Sequence, residues 1–122
     1  MKPTTPAILI IDSDRPTLEL YRRELSHHYQ IFTCSEVQQA LALIQAHPIS
    51  AVVLEPSAPN DQGWLLLADI KRLPVTEPIP VVLCTTLDDR KRGMEMGVAA
   101  YLIKPVLPVA LLETLRKVTH LI

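Results

Sequence analysis

Five charged or polar side chains directly follow the three stretches of the sequence that best fit buried strands. The side chains are Asp12, Ser13, Asp14, Glu55 and Lys104. The stretches are 7–11, 51–54 and 99–103. If these stretches form parallel strands, their carboxyl ends meet at one edge of a sheet, where open α/β folds bind their ligands. Carboxylates at such an edge are ligands for a hard cation such as Mg²⁺, so the sequence predicts a charged site there.

The composition predicts one globular domain over residues 1–122. Of these residues 48% are hydrophobic and 20% are charged, which is enough apolar side chain to fill a core between a sheet and helices on both faces. A formal net charge of -1 creates no field that would attract nucleic acid or an anionic membrane. No apolar run approaches the roughly eighteen residues of a membrane span, and the start lacks a signal-peptide core. We therefore expect a cytoplasmic protein that binds neither nucleic acid nor membrane directly.

Strand-like and helix-like stretches alternate along the whole chain. Strands are predicted at 7–11, 30–33, 50–54, 79–84 and 99–103. Helices are predicted at about 15–26, at 63–73, at 88–96 and from Pro108 onwards. A further helix is predicted between the second and third strands, after a capping box formed by Ser35 and Gln38. The helix at 88–96 is the weakest, because Gly93 lies inside it and costs about 1 kcal/mol relative to alanine.

Five strand-helix units with continuous Val, Ile and Leu strands predict a parallel sheet that is covered on both faces. We expect the flavodoxin-like, doubly wound (βα)5 fold with the strand order 2-1-3-4-5. Cys34 and Cys84 would then lie three strand spacings apart, roughly 14 Å, which is beyond disulfide reach. The four histidines have no metal-ligand spacing and are expected at the surface: His27, His28, His47 and His120.

Several short fragments follow one another in a specific order and spacing. They are Ile8 to Asp12, Glu55 with Pro59 and Gly63, Ile79 to Thr85, Gly97, and Tyr101 to Pro105. Together they resemble the bacterial response-regulator receiver domain, and the resemblance covers about Ala7 to Val118. It implies a signalling domain of a two-component system or phosphorelay, with no enzymatic activity of its own.

The resemblance also implies roles for individual residues. In that family an acidic pair after the first strand and an aspartate after the third hold a divalent metal, usually Mg²⁺. The aspartate takes a phosphoryl group from a histidine kinase, a lysine neutralises it, and a hydroxyl and an aromatic side chain respond by moving inward. The matching positions here are Asp12 for the first acid, Thr85 for the switch hydroxyl, Tyr101 for the switch aromatic and Lys104 for the lysine.

Two positions of the pocket depart from the family pattern. Ser13 stands in place of the second acid, and Glu55 stands in place of the phosphoacceptor. The glutamate carboxylate lies one methylene further out, about 1.3 to 1.5 Å from the geometry that in-line attack requires. The charges of Asp12, Glu55 and Lys104 sum to -1, where the family pattern gives -2. We therefore predict a degenerate receiver, or pseudo-receiver, with no cofactor. Metal binding is expected to be absent or, if Mg²⁺ binds at all, to be weak and to use Asp12 and Glu55.

The function of Glu55 has more than one interpretation. It could pair with Lys104 in a domain that no longer switches, or it could imitate the phosphorylated state by reaching Lys104 and Thr85. A competent acceptor that uses Asp14 as a substitute ligand is a further alternative, although Asp14 better fits a helix cap. Tyr101 could equally be an ordinary aromatic side chain packed on its strand or the side chain that moves when the domain switches. A nucleotide- or flavin-binding enzyme is disfavoured, because no glycine-rich loop follows the first strand.

Partners are expected on the face that the family commonly uses for dimers and output contacts. That face is formed by the fourth helix, the fifth strand and the fifth helix, and here includes Arg90, Lys91, Met94 and 109–116. The resemblance implies a signalling protein as partner, either a histidine kinase, an output domain or another regulator, and a homodimer as a further use of this face. Trp64 and Leu65 could form a second partner patch, but we favour Trp64 at the edge of the core and Leu65 as a lone exposed side chain.

Overall fold

The computed structural model describes residues 5–57 and 60–119, and it contains a five-stranded, all-parallel sheet. The strand order is β2-β1-β3-β4-β5, so the predicted flavodoxin-like fold and its strand order are confirmed. The strands are β1 Ala7–Ile11, β2 Gln30–Cys34, β3 Ile49–Leu54, β4 Val81–Thr85 and β5 Ala100–Ile103. The fourth strand begins later than predicted, after Pro80, which has no N–H to give to the sheet.

Five α-helices connect and follow the strands. They are α1 Arg15–Leu25, α2 Ala40–Ala46, α3 Gln62–Arg72, α4 Arg90–Glu95 and α5 Pro108–Thr119, and a short 3₁₀ helix, Val37–Gln39, precedes α2. The start of α5 at Pro108 is as predicted, since proline suits the first turn of a helix. None of the helices within the described ranges is long and apolar enough to cross a membrane.

Two separate cores lie on the two faces of the sheet. Successive strand residues point to opposite faces, so Leu9 and Ile11 pack with α2 and α3, whereas Ile8 and Ile10 pack with α1 and α5. Both cysteines are free and buried, Cys34 on the first face and Cys84 on the second. This placement agrees with the predicted absence of a disulfide between them.

The predicted capping box at Ser35 and Gln38 is wrong. The residue before the 3₁₀ helix is Glu36, which has extended backbone and no capping side chain, and α2 also begins without a side-chain cap. Gln38 lies inside the 3₁₀ helix, where its side-chain amide faces Gln62 of α3 and donates to the Gln62 side-chain oxygen at 3.4 Å. The local sequence motif is overridden by a contact between two helices.

The prediction for His47 is also wrong, because this side chain is not simply solvated. Its ring is partly buried at the end of α2 and stacks on Phe32, with the ring centroids 4.2 Å apart. His27 and His28 are exposed as predicted, whereas His120 lies outside the described residues.

Gly93 has a packing reason to be glycine. A Cβ atom at this position of α4 would lie 2.8 Å from Cδ2 of Tyr101 and 3.1 Å from Cδ1 of Leu83. The helix can therefore approach β5 closely only because residue 93 has no side chain. Helix α4 is followed by Gly97 with φ of +86°, a backbone conformation that favours glycine.

Candidate functional site

The carboxyl ends of β1, β3 and β5 bring Asp12, Glu55 and Lys104 together, as the sequence predicts. The Lys104 Nζ lies 2.6 Å from Asp12 Oδ2 and 3.5 Å from Glu55 Oε1. The backbone fixes this arrangement, because the Glu55 N–H donates to the carbonyl of Ile11 at 3.0 Å and the Lys104 N–H donates to that of Thr85 at 2.8 Å. The three charged groups form an ion triad that spans three strands.

The second oxygen of each carboxylate is also occupied. Asp12 Oδ1 accepts a hydrogen bond from the Asp14 N–H at 2.9 Å. Glu55 Oε2 accepts from both the N–H and the hydroxyl of Ser57, at 3.1 and 2.9 Å. Sequence reasoning missed Ser57, although a serine two residues after an acid is a known signal of local hydrogen bonding between side chain and backbone. Both carboxylates are thus held by the protein itself.

The three charged side chains of the ion triad are mostly buried, so their charges interact strongly with one another. The Asp12 and Glu55 side chains are 7% and 8% exposed, and that of Lys104 is 18% exposed. Burial by itself would lower the pKa of Lys104, but the hydrogen bond that Lys104 donates to Asp12 and the negative charges of Asp12 and Glu55 outweigh it and raise that pKa. The lysine therefore stays charged and neutralises one of the two carboxylates.

Asp14 acts as the helix cap of α1 and is separate from the ion triad. Its carboxylate accepts hydrogen bonds from the hydroxyl and the N–H of Thr17, the latter at 3.1 Å, and these bonds lower the pKa of Asp14. Ser13, between the two acids, is exposed. The position of the family's second acid thus contributes no carboxylate.

The oxygen atoms of the pocket do not fit a divalent cation well. The oxygens of Asp12 and Glu55 already accept hydrogen bonds or contact Lys104. Within residues 5–57 and 60–119 there is no group of three or more His, Cys, Asp or Glu side chains that could hold a metal ion. A cation would have to share Asp12 with the lysine ammonium, whose positive charge repels it.

Thr85 and Tyr101, the two positions matched to a switch, are connected through the loop before α4. Thr85 is buried, and its hydroxyl oxygen accepts from the Leu87 N–H at 3.4 Å. The Tyr101 hydroxyl donates to the Leu87 carbonyl at 2.5 Å and accepts from the Asp89 N–H at 2.9 Å. Burial raises the pKa of the Tyr101 phenol, so it remains a donor at neutral pH. Tyr101 thus holds the start of α4 in place of a local cap.

The start of α3 is joined directly to the pocket. A Cβ on Gly63 would lie 2.5 Å from Cα of Pro56 and 2.8 Å from the Glu55 carbonyl oxygen, so only glycine fits there. The next residue, Trp64, donates its N–H to the Pro56 carbonyl at 3.2 Å, and its side chain is buried as predicted. The guanidinium carbon of Arg92 lies 4.0 Å from the Trp64 ring centroid, which connects α4 to α3. Pro59, which formed part of the sequence pattern, lies outside the described residues.

The sequence matches the response regulator receiver domain family over residues 8–116. The chain belongs to this family. A probable cyclic di-GMP phosphodiesterase from Vibrio cholerae is 32% identical over 117 residues, and response regulator PleD from Caulobacter vibrioides is 31% identical over 117 residues. Each match covers 93% of this receiver domain, which spans about a quarter of the length of each relative (26%).

Three further matches concern chains of similar length. An uncharacterised 14.6 kDa protein from Leptolyngbya boryana is 28% identical over 114 residues, which cover 90% of this receiver domain and 87% of that protein. The signal receiver domain of a response regulator from Bacteroides fragilis has a TM-score of 0.86 at 25% identity, covering 98% of this chain and 100% of that one. The chemotaxis protein CheY4 from Vibrio cholerae has a TM-score of 0.85 at 22% identity, covering 94% of this chain and 99% of that one. The receiver domain thus has the CheY-like form of the flavodoxin-like fold and functions in two-component signalling.

Proposed function

We propose that this receiver domain signals through protein-protein contacts without the usual cycle of phosphorylation on an aspartate. The observation that carries the proposal is the contact between Glu55 and Lys104, at 3.5 Å, at the position where the family has its phosphoacceptor. Glu55 is also held by Ser57 on its other oxygen. Attack by this carboxylate on a phosphodonor would start from an oxygen that Lys104 or Ser57 already contacts.

Charge supports the same proposal. The triad of Asp12, Glu55 and Lys104 sums to -1, and Mg²⁺ is bound by carboxylates together with the phosphoryl group that it helps to transfer. With Ser13 in place of an acid and Asp14 engaged as the cap of α1, no third carboxylate among the described residues joins Asp12 and Glu55. We therefore propose that Mg²⁺ binds weakly or not at all, and that the domain catalyses no reaction.

The alternative in which Glu55 imitates the phosphorylated state has less support. A carboxylate carries fewer oxygens and less charge than a phosphoryl group. In the described part of the chain Glu55 makes no hydrogen bond to Thr85, and the Tyr101 hydroxyl is bound to the loop before α4. These contacts favour the interpretation in which Glu55 and Lys104 form an ion pair that keeps the pocket in one state. They speak against the interpretation in which Glu55 imitates the phosphorylated state.

Trp64 provides the experiment that tests this proposal. The Trp64 N–H is hydrogen-bonded to the carbonyl of Pro56, the residue after Glu55. The fluorescence of Trp64 is therefore expected to respond to any ligand that rearranges the pocket. We expect no saturable change when Mg²⁺ is added up to millimolar concentration, followed by beryllofluoride. The matched control is the double variant Ser13→Asp with Glu55→Asp, which restores both acids and is expected to respond to both additions.

A saturable, metal-dependent response of the unmodified chain would overturn the proposal. The competent-acceptor alternative would then predict that a small phosphodonor adds one phosphoryl group to Glu55, which intact-mass measurement detects. Failure of the double variant to fold is recognised by urea unfolding, and Glu55→Asp alone then serves as the control.

The partner is proposed from the face formed by α4, β5 and α5. Met94 and Val109 are exposed there together with Leu107, and Arg90 and Lys91 add positive charge. Receiver domains contact histidine kinases or output domains, and the larger size of the first two relatives is consistent with an attached output domain. We propose that this face binds such a signalling partner or a second copy of the chain.

A further inference from the structure

A groove of about 270 Å³ lies between the 3₁₀ helix with α2 on one side and the start of α3 on the other. We call it the α2–α3 groove. Its apolar lining comes from Val37, Leu41, Leu65 and Leu66. Leu65 is 68% exposed, so the prediction that it is exposed is correct, but it is not alone: it forms one wall of this groove. A side chain that is exposed beside three further apolar groups marks a surface that can bury more area.

One acidic residue lines the α2–α3 groove, and two more are adjacent in sequence to its lining residues. Asp69 lines it, and Glu36 and Asp61 are exposed neighbours of the lining residues Val37 and Gln62. Asp69 pairs with Arg72 at 2.7 Å, whereas Glu36 and Asp61 have no ion-pair partner within the described ranges.

The sequence explains this local excess of negative charge. No Lys or Arg occurs between Arg23 and Lys71, a segment that contains the whole 3₁₀ helix, all of α2 and most of α3. The basic residues of the chain are therefore concentrated elsewhere, and a partner of the groove would have to supply the positive charge.

The size of the groove points to side chains rather than to a small-molecule ligand. Its volume is below the range of about 300 to 1,000 Å³ that is typical of ligand pockets, and it is open and mostly apolar. A groove between two helices that accepts a few apolar side chains is the usual docking site of an amphipathic helix.

The α4 segment of a second copy fits the groove poorly. The exposed apolar side chain on α4 is Met94, but the charges around it cancel: three acids, Asp88, Asp89 and Glu95, oppose three bases, Arg90, Lys91 and Arg92. Asp88 and Asp89 also lie 3.9 Å from Arg90 and Arg92. The segment 88–95 as a whole therefore offers no net positive charge to an acidic groove.

We propose that the α2–α3 groove binds a basic amphipathic helix of a partner protein. Two apolar side chains one helical turn apart enter between Leu41 and Leu65, and flanking Lys or Arg side chains face Glu36 and Asp61. This inference does not depend on the state of Glu55, because none of the groove residues belongs to the ion triad.

The test uses a synthetic helical peptide of about fifteen residues with a Leu stripe at i, i+3, i+4 and i+7 and with Lys and Arg at the remaining positions. Binding is followed by backbone amide shifts of the isotopically labelled chain. We expect saturable shifts at Val37, Leu41 and Leu65, and weaker binding as salt is added, because exposed charges are screened. A peptide with the same Leu stripe but with Glu in place of every Lys and Arg is expected not to bind.

Variants of the chain locate the binding site. Leu65→Gln is expected to weaken binding of the basic peptide at least about tenfold, as for a central interface side chain, and Glu36→Lys is expected to weaken it about threefold. The matched control Leu20→Gln changes an exposed leucine of α1, on the other face of the sheet, and is expected to leave binding unchanged.

Three results would overturn the proposal. They are no saturable binding of the basic peptide, equal binding of the acidic peptide, and shifts that lie outside the groove or persist in Leu65→Gln. Shifts at the same amides that depend on chain concentration alone, without peptide, would assign the groove to a second copy instead.

Discussion

Lys104 is the residue on which the charged pocket depends most. It is the only described cation in contact with both buried carboxylates, so its removal leaves Asp12 and Glu55 facing each other without a counter-charge. We expect Lys104→Met to lower the free energy of unfolding by about 3 kcal/mol at neutral pH, which urea unfolding measures. The control is Lys71→Met, which removes a lysine whose hydrogen bonds go to backbone carbonyls. This variant is expected to lose much less free energy of unfolding. Equal losses in the two variants would contradict this role of Lys104.

The same residue gives the folded chain a specific dependence on pH. Because the pKa of Lys104 is raised above the ordinary value of 10.5, its stabilising effect is fully present below that value and is lost as pH rises through the raised pKa. We expect the difference in free energy of unfolding between the natural chain and Lys104→Met to stay constant up to about pH 10 and then to shrink. A difference that does not change in alkaline solution would contradict the raised pKa.

At this scale the sequence predicted the positions of the charged residues but not how their oxygens are used. Asp12, Glu55 and Lys104 follow apolar strands, and parallel pairing brings strand ends together whatever the loops do. The bonds from Ser57 to Glu55 and from Leu87 to Thr85 depend on the conformation of the loops after β3 and β4, which residue types alone do not determine.

Helix α4 is the element whose position depends most on its neighbours. It has only six residues, and it is held by the Tyr101 hydroxyl at its start, by the Tyr101 ring against Gly93 and by Arg92 over Trp64. Because Gly93 lies inside this helix, the sequence indicated that the helix is weak, and this holds for the helix in isolation. The compensating contacts come from β5 and α3, so they are invisible to a local pattern.

We expect Gly93→Ala to destabilise the chain, although alanine is the better helix former. The new Cβ would lie 2.8 Å from the Tyr101 ring, and such overpacking costs about 1 to 3 kcal/mol, more than the gain of about 1 kcal/mol in helix propensity. Urea unfolding of Gly93→Ala, Tyr101→Ala and the double variant measures the coupling. The double variant is expected to lose less stability than the sum of the single variants. Additive losses would show that the ring does not limit residue 93.

For the whole molecule, the sequence was sufficient to predict the architecture. Continuous apolar strands, alternating with helices that begin at Pro108 or end before Gly97, allow few arrangements other than a parallel sheet with two covered faces. The α2–α3 groove was not predictable, because Val37 and Leu65 are far apart in the sequence and meet only through the packing of two helices.

The exposed face of α4, β5 and α5 leads to a prediction about assembly. We expect weak self-association that sedimentation detects at high chain concentration, and we expect Val109→Glu to weaken it at least about tenfold by placing a charge in the contact. Val109 is 60% exposed on this face. The matched control is Val75→Glu, since Val75 is 84% exposed in the loop between α3 and β4 and lies outside this face. An equal effect of the two variants would remove α5 from the contact.

The burial of the two native thiols has a practical consequence for these measurements. Burial raises the pKa of both Cys34 and Cys84, and only the thiolate form reacts quickly with alkylating dyes. A single cysteine introduced at an exposed alanine, such as Ala68 of α3 or Ala110 of α5, is therefore expected to be labelled selectively without removal of the native thiols. Fluorophores or spin labels attached there would report separately on the groove and on the face of α4, β5 and α5, with the proposed contact side chains unchanged.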